Sequence, residues 1–512
     1  MVKKFVFMFL GICFAWGIIP AQTAGQAERM SYALGFSAYL SHTDRFFPAF
    51  DVCTDSKGYM YVSGCTTDRN FPATAGAYQR ELKGEADAFV AKFSPDGKII
   101  FATLIGGTKR EHHTGMTVDK DGNIYLVGGT HSADFPVTPG AYDTSFNGEG
   151  EWAGDVYLAK LNPSGSDVVF ATFIGGKVEE TAGSVEIDSK GNIIIAGVTC
   201  SSDFPATEGV IHNEYAKQAG FISKFGSNGD TLLFSTSLGT GKQDMVTDLA
   251  IDNKDNIYVT GYTAAADLPV TGNALRKTII NPKVGGFANG IDHFLAKINE
   301  TGTRILYLSY LGDGGCMGAN ITWASPNRLL VSGSTNSDNF PVTEKAVSKK
   351  NKGERDCFFS IFNSDNMTLQ YSTLFGGSQL ESIFSAYFLD KDRVVIGGTT
   401  NSADFPLTEN AMDSAYPATD KLFNSSFLGR RKAFVSIIDI AKGQLAYSTY
   451  FGACLRFEIV PDREGNLGFM AETGTHGFPG STEFPLSQDA FQAPPTFLML
   501  GRLVAKDLPK QK

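Results

Sequence analysis

Past its first stretch of residues the sequence has no apolar run approaching the roughly 20 residues of a membrane-spanning helix, so no integral membrane segment is expected once that stretch is removed. Positive charge is in short supply. With 44 Lys and Arg against 54 Asp and Glu the net charge is −10, and a surface built for nucleic acid needs the opposite balance. Cysteine is sparse too: of seven, Cys13 lies in the N-terminal apolar run, leaving Cys53, Cys65, Cys200, Cys316, Cys357 and Cys454. That even number permits disulfides in an exported chain without requiring them. The short signatures of common catalysts are missing as well. There is no GxSxG nucleophile elbow, no HExxH and no phosphate-cradling GxxxxGK[ST].

What is abundant is turn and core: 56 Gly, 40 Phe and 42% hydrophobic residues describe a folded, turn-rich chain rather than a disordered one. The N-terminus, with Lys3 and Lys4 ahead of an apolar run and then small residues, reads as a secretory signal over 1–27, cleaved after residue 21 or 27. Export to the periplasm or the outside of the cell is the expectation.

The stretch Phe101 to Tyr142 is copied along the whole chain. Its opening phrase, an aromatic, a small or hydroxyl residue and two hydrophobics, starts at Phe36, Phe101, Phe170, Phe234, Tyr307, Tyr371 and Tyr447, with spacings of 65, 69, 64, 73, 64 and 76 residues. A fixed unit with variable insertions is the mark of a repeat architecture. Each unit holds four short strand-like runs, in the second GMTVD, NIYLVGG, DVYLAKL and DVVFATFIGG, joined by turns such as DKDGN and NPSGS. Four antiparallel strands per unit, repeated radially, predict an all-β fold, a seven-bladed β-propeller over 28–505 followed by a short polar tail at 506–512. A solenoid would need parallel, hairpin-free repeats. The chain begins on a fourth strand at Phe36 and ends on a third strand near Leu503, so the N-terminal strand should join the last blade and close the ring.

Between the second and third strands the phrase DFPVTPGAY recurs, bringing Phe71, Phe135, Phe204, Phe340, Phe405 and Phe484 to equivalent positions. One per blade is what packing demands. The Phe is therefore read as a plug, and the Thr with the short run after it as an N-capped helical turn. Longer insertions at 275–290 and 412–431 are expected as surface loops. The hairpin carrying Cys53 and Cys65 should set Cys53 opposite Met60, too far from Cys65 for a bond.

The phrases FATLIGG, DKDGNIYLVGGT, SADFPVTPGAY and DAFVAKFSPDG closely resemble the bacterial SBBP family, named for a seven-bladed β-propeller repeat, over Phe36 to Leu503. The fifth and seventh units depart most, at Ser325 and Ala453. What the resemblance implies is a fold and an exported setting, a binding or scaffold module, and no catalytic residue.

Residues that break the repeat are better site candidates than those that obey it. Glu111, Glu180, Asp244 and Glu381 fall near one equivalent position and should organise their loops. The second unit differs, with Lys109, Arg110, Glu111, His112 and His113 in its opening loop and His131 after its second strand. The ligand-binding candidates are Arg45, Arg110, His112, His113 and His131, expected on one rim of the first two blades, and Glu180 in the third unit. His beside Arg and a carboxylate suits proton abstraction next to a uronate. Adjacent histidines on an extended chain point apart, so neither a metal nor a cofactor is expected. Three functions follow. The first is an exported monomeric propeller binding a glycan or protein partner on one face. The second is a polysaccharide-degrading enzyme, a uronate lyase or glycoside hydrolase, using the blade-two rim. The third is a structural component of the cell envelope.

Overall fold

The computed structural model describes residues 31–41, 50–148, 150, 153–212, 218–239, 243–279, 291–313, 319–416, 431–454, 456–473 and 497–506. The leader, Arg45, Cys316, Phe484 and the tail beyond Lys506 lie outside them. Seven four-stranded antiparallel sheets form the blades of a propeller. In the second blade the strands are Glu111–Val118, Ile124–Thr130, Asp155–Leu161 and Val168–Ile174, from the axis outward. Middle strands such as Met60–Thr66, Ile124–Thr130 and Ile193–Thr199 are buried along their whole length. That is why they read as continuous apolar runs rather than alternating ones.

The ring closes as the sequence implied. Ser31–Ser41 pairs antiparallel with Phe497–Lys506, Ser31 opposite Lys506 and Phe36 opposite Arg502, completing the blade of Arg456–Pro461 and Leu467–Thr473. In the first hairpin Cys53 stands opposite Tyr61, one residue from the Met60 expected, because Thr54 takes Met60. Neither cysteine is in a disulfide.

Two repeated contacts hold blade to blade. A left-handed glycine in the hairpin between third and fourth strands lies against the aromatic that opens the outer strand of the preceding blade: Gly97 on Phe36, Gly165 on Phe101, Gly229 on Phe170 and Gly302 on Phe234. A Cβ at Gly97 would come within 2.7 Å of the Phe36 ring, so only glycine meets both the turn and the contact. On the same face the turn aspartates of the first hairpins take lysines from the third strands. Lys224 and Asp188 form a buried pair at 2.8 Å, and Lys224 Nζ also donates to the Glu300 carbonyl of the next blade.

The excursion between second and third strands is not a helical turn. After Thr138 the chain makes a single turn, Ala141 N–H donating to the Thr138 carbonyl, and the equivalents at Thr74, Thr271, Thr343 and Thr408 do the same. The Thr side chain has a different task from capping a helix. Thr138 N–H and Oγ1 both donate to the Ala171 carbonyl, and Oγ1 accepts from Ala171 N–H at 3.1 Å. Phe173 N–H then donates to the Asp143 carbonyl. The excursion thus occupies the open edge of its own blade's outer strand, an edge that would otherwise be a template for strand addition. The plug Phe residues seat it: Phe71, Phe135, Phe204, Phe340 and Phe405 are all buried.

Candidate functional site

Two kinds of loop open on one face of the ring: those from a fourth strand to the next first strand, and the excursions. On this loop face the repeated acids lie at blade junctions. Glu111 accepts from Thr130 Oγ1 at 2.8 Å, Glu180 from Thr199 Oγ1 at 2.8 Å, and Glu381 from Thr400 Oγ1 and Ser402 Oγ, each at 2.6 Å. Asp244 takes Thr263 Oγ1 in the same way. Each Glu also meets an aspartate that starts the third strand of the blade before it, Asp87 with Glu111, Asp155 with Glu180 and Asp356 with Glu381, the two carboxyls flanking Gly106, Gly175 and Gly376. Two fully buried carboxyls this close do not both ionise at neutral pH. Burial, with a smaller contribution from the partner carboxylate, brings Glu111 up to about 8 and Asp155 and Asp356 up to about 7.

This gives stability a pH dependence with a definite sign. A free carboxyl titrates near 4, so between about 4 and the 7 to 8 of these three groups the folded chain holds protons that the unfolded chain has released. Stability therefore falls as pH rises through that range. Buried His293, its Nε2 against the Ser334 carbonyl, is pushed down to about 4 by burial and works the other way, losing stability as pH falls below about 6.5. Above that pH it is neutral in both states. Thermal unfolding from about pH 6.5 to 8.5 is expected to show a falling Tm, with a shallower fall in Glu111→Gln. A Tm that rises across this window would refute the shared-proton junctions.

Of the site candidates, the structure brings three together. His112 Nε2 lies 3.2 Å from His131 Nδ1 with the rings edge to face, and His131 N–H donates to the Arg110 carbonyl. The Arg110 guanidinium reaches back to Glu85 of the first blade at 3.1 Å. Glu180 is adjacent only through its backbone, since its carboxyl turns into the junction with Asp155. His113 is in the same strand as His112, and Arg45 lies outside the described residues.

The loop expected to carry His112 and His113 is instead the start of the innermost strand, which begins at Glu111. The early start is common to the repeat, since Glu180 and Glu381 open their innermost strands in the same way, Glu111 standing opposite Thr130 as they stand opposite Thr199 and Thr400. As a result His112 is only 1% exposed and serves packing as well as polarity.

Inward of this rim the seven first strands surround a channel of about 1050 Å³. Its wall carries Asp51, Glu186 and Asp248 together with Trp323, Phe384 and Tyr387. The acids also join blades: Asp51 accepts from Met116 N–H at 2.9 Å, and Asp248 from Ser184 Oγ at 2.9 Å and Ile321 N–H at 2.8 Å. Burial raises all three carboxyls, Glu186 to about 8 and Asp248 to about 7. Channel residues went unnoticed in the sequence because they sit at ordinary strand positions of different repeats. Among the described residues no group of three or more His, Cys, Asp or Glu is arranged to hold a metal ion, and no helix is long and apolar enough to cross a membrane.

The family model of the SBBP β-propeller repeat matches residues 100–136 and 214–269. An uncharacterised WD repeat-containing protein of Acanthamoeba polyphaga mimivirus is 24% identical over 227 residues, 39% of this chain and 16% of that protein. The chain therefore spans a small part of the curated relative it matches. Among solved structures, a PL25 ulvan lyase aligns over 86% of this chain and 93% of its own at 12% identity and a TM-score of 0.42. The endosialidase of phage phi92 aligns over 93% and 69% at 9% identity and a TM-score of 0.40.

Proposed function

We propose that this chain, a propeller of SBBP repeats, is a binding module that takes a glycan on its loop face, at the mouth of the central channel, and performs no chemistry on it. One observation carries the reading. On the blade rims the acids Glu111, Glu180 and Glu381 are buried at junctions against an aspartate of the preceding blade, and His112 is buried against His131 of its own blade. The channel wall, by contrast, offers half-buried aromatic rings at Phe384 and Tyr387 beside carboxyls. Apolar faces with a few placed polar groups make a small-ligand site, and a sugar presents both apolar C–H faces and hydroxyls to such a wall.

The rival reading, a polysaccharide lyase or hydrolase on the blade-two rim, draws on the His112 and His131 contact beside Arg110. One experiment separates the two. Oligosaccharides are titrated calorimetrically into the protein and into Phe384→Ala, and the same mixtures are assayed for new reducing ends and for the ultraviolet absorbance of unsaturated uronates. Binding that weakens in Phe384→Ala, without turnover, is expected. Turnover abolished by His131→Ala would establish the enzyme instead, and binding of a protein but of no oligosaccharide would replace the ligand class.

A further inference from the structure

On the face opposite the loops, the seam between the fifth and sixth blades departs from the pattern set by the first four. Where the first, second and third blades meet their successors, the glycine of the next hairpin caps the opening aromatic, and its carbonyl takes an N–H from the excursion: Tyr78 N–H donates to Gly165, Tyr142 N–H to Gly229 and Ile211 N–H to Gly302. Backbone closes those seams.

In the fifth blade the opening aromatic is Tyr371, and the sixth-blade hairpin that follows it is built differently. Its Gly443 N–H returns to the Asp439 carbonyl, four residues back, where Gly165 N–H returns to Asn162, three back. The longer turn moves the glycine off the ring. A Cβ at Gly443 would meet the Lys345 carbonyl at 2.2 Å, whereas one at Gly165 would meet the Phe101 ring at 2.5 Å. A side chain spans the seam instead, Lys345 Nζ donating to the Ala441 carbonyl at 2.9 Å.

The displaced glycine leaves a pocket of about 480 Å³, within the size range of small-ligand sites. Its floor is apolar, made by Ile361, Tyr371 and Ile440. Its rim is charged. Arg328 donates Nη1 to the Lys391 carbonyl at 2.7 Å with its guanidinium over the Phe388 ring, so Arg328 and Lys345 both direct their charge at neutral carbonyls. The carboxylates around Arg328 have other cations: Asp390 accepts from Arg393 Nε at 2.6 Å, and Asp392 lies 3.7 Å from Lys391 Nζ. Exposed Glu344 is then the acid left on the lining to set against Arg328 and Lys345, and the rim has an excess of positive charge.

A cavity with an apolar floor and a cationic rim selects a molecule with an apolar body and an anionic head, because ammonium and guanidinium groups grip a carboxylate through charge-assisted hydrogen bonds. We propose that this pocket binds a small carboxylate with an apolar body, the body lying on Ile361, Tyr371 and Ile440 and the carboxylate at Lys345 and Arg328. The site is separate from the loop face and independent of the glycan reading.

The test uses the full chain. Sodium phenylacetate, phenylethanol and sodium acetate are titrated calorimetrically at constant ionic strength into the wild type, Lys345→Gln and Ala441→Trp, two exposed positions, with the fold of each variant checked by thermal melting. Saturable binding of phenylacetate is expected, at least about tenfold tighter than that of phenylethanol, which has the body without the charge, or of acetate, which has the charge without the body. Lys345→Gln should weaken it about ten- to hundredfold, the contribution of a charge-assisted hydrogen bond. Ala441→Trp, which sets a large ring at the mouth, should abolish it, and Phe384→Ala in the central channel should leave it unchanged. No saturable binding of phenylacetate, equal binding of phenylethanol, or unchanged binding by folded Lys345→Gln and Ala441→Trp overturns the proposal.

Discussion

Replacing Phe135 by Ala is expected to lower stability by about 3–5 kcal/mol, the range for deleting a fully buried aromatic ring. The ring is 2% exposed, stacks on Tyr157 with centroids 4.6 Å apart and leans on Phe173 at 6.2 Å. It belongs to no strand. Its contribution is to hold the excursion against the blade, and through it the bonds of Thr138 and Asp143 to the outer strand. The loss should therefore have a local signature: amide hydrogen exchange at Ala171 and Phe173, whose N–H groups those bonds occupy, should accelerate more than exchange in the middle strands. Chemical denaturation gives the magnitude. A loss below about 1 kcal/mol would mean that the excursion is held by its backbone bonds and the ring is dispensable.

Removing Ser31–Ser41 should be more severe still. That strand supplies the fourth strand of the last blade and buries Tyr32 and Leu40 against it. Each large side chain returned to water costs about 1.5–3 kcal/mol, and the ladder to Phe497–Lys506 is lost with them. A typical margin of about 5–15 kcal/mol does not survive this with much to spare. A chain lacking the segment is expected to lose its cooperative melting transition and to aggregate through the freed edge at Phe497–Lys506. A synthetic peptide of residues 31–41 should restore the transition in a concentration-dependent way. Cooperative melting at an unchanged Tm without the peptide would show that the ring does not depend on this closure.

The difference between what the sequence showed and what it hid has a physical basis. Blade number, hairpins and closure were legible because each is written several times over: the aromatic at Phe36 or Phe101 and the Asp/Gly turns recur in register, and chance does not align several phrases at once. Thr138 was misread because Thr followed by a short run to Ala suits a helix cap and a single turn equally, and only the neighbouring edge strand decides between them. His112 was read as a loop residue because the ladder begins at the repeated acid, Glu111 opposite Thr130, and the charged run around it carries no strand pattern of its own.

The acid junctions were half legible. The equivalence of Glu111, Glu180 and Glu381 pointed to a structural role, and the Asp opening the third strand recurs as regularly, but nothing in the sequence says that these two repeated positions meet across neighbouring blades.

The aromatic and glycine contacts all run in one direction: Phe36 onto Gly97, Phe101 onto Gly165, Phe170 onto Gly229, Phe234 onto Gly302. Each blade thus has a donor side and an acceptor side, and the ring is a head-to-tail series whose two ends happen to meet. Such joints close into rings when the rotation per unit is right and run on into filaments when it is not. A fragment of a few blades, from proteolysis or a prematurely ended chain, would carry one unused donor and one vacant acceptor of matching shape. Its natural fate is to polymerise with its own kind, which the intact ring avoids by being its own neighbour at both ends.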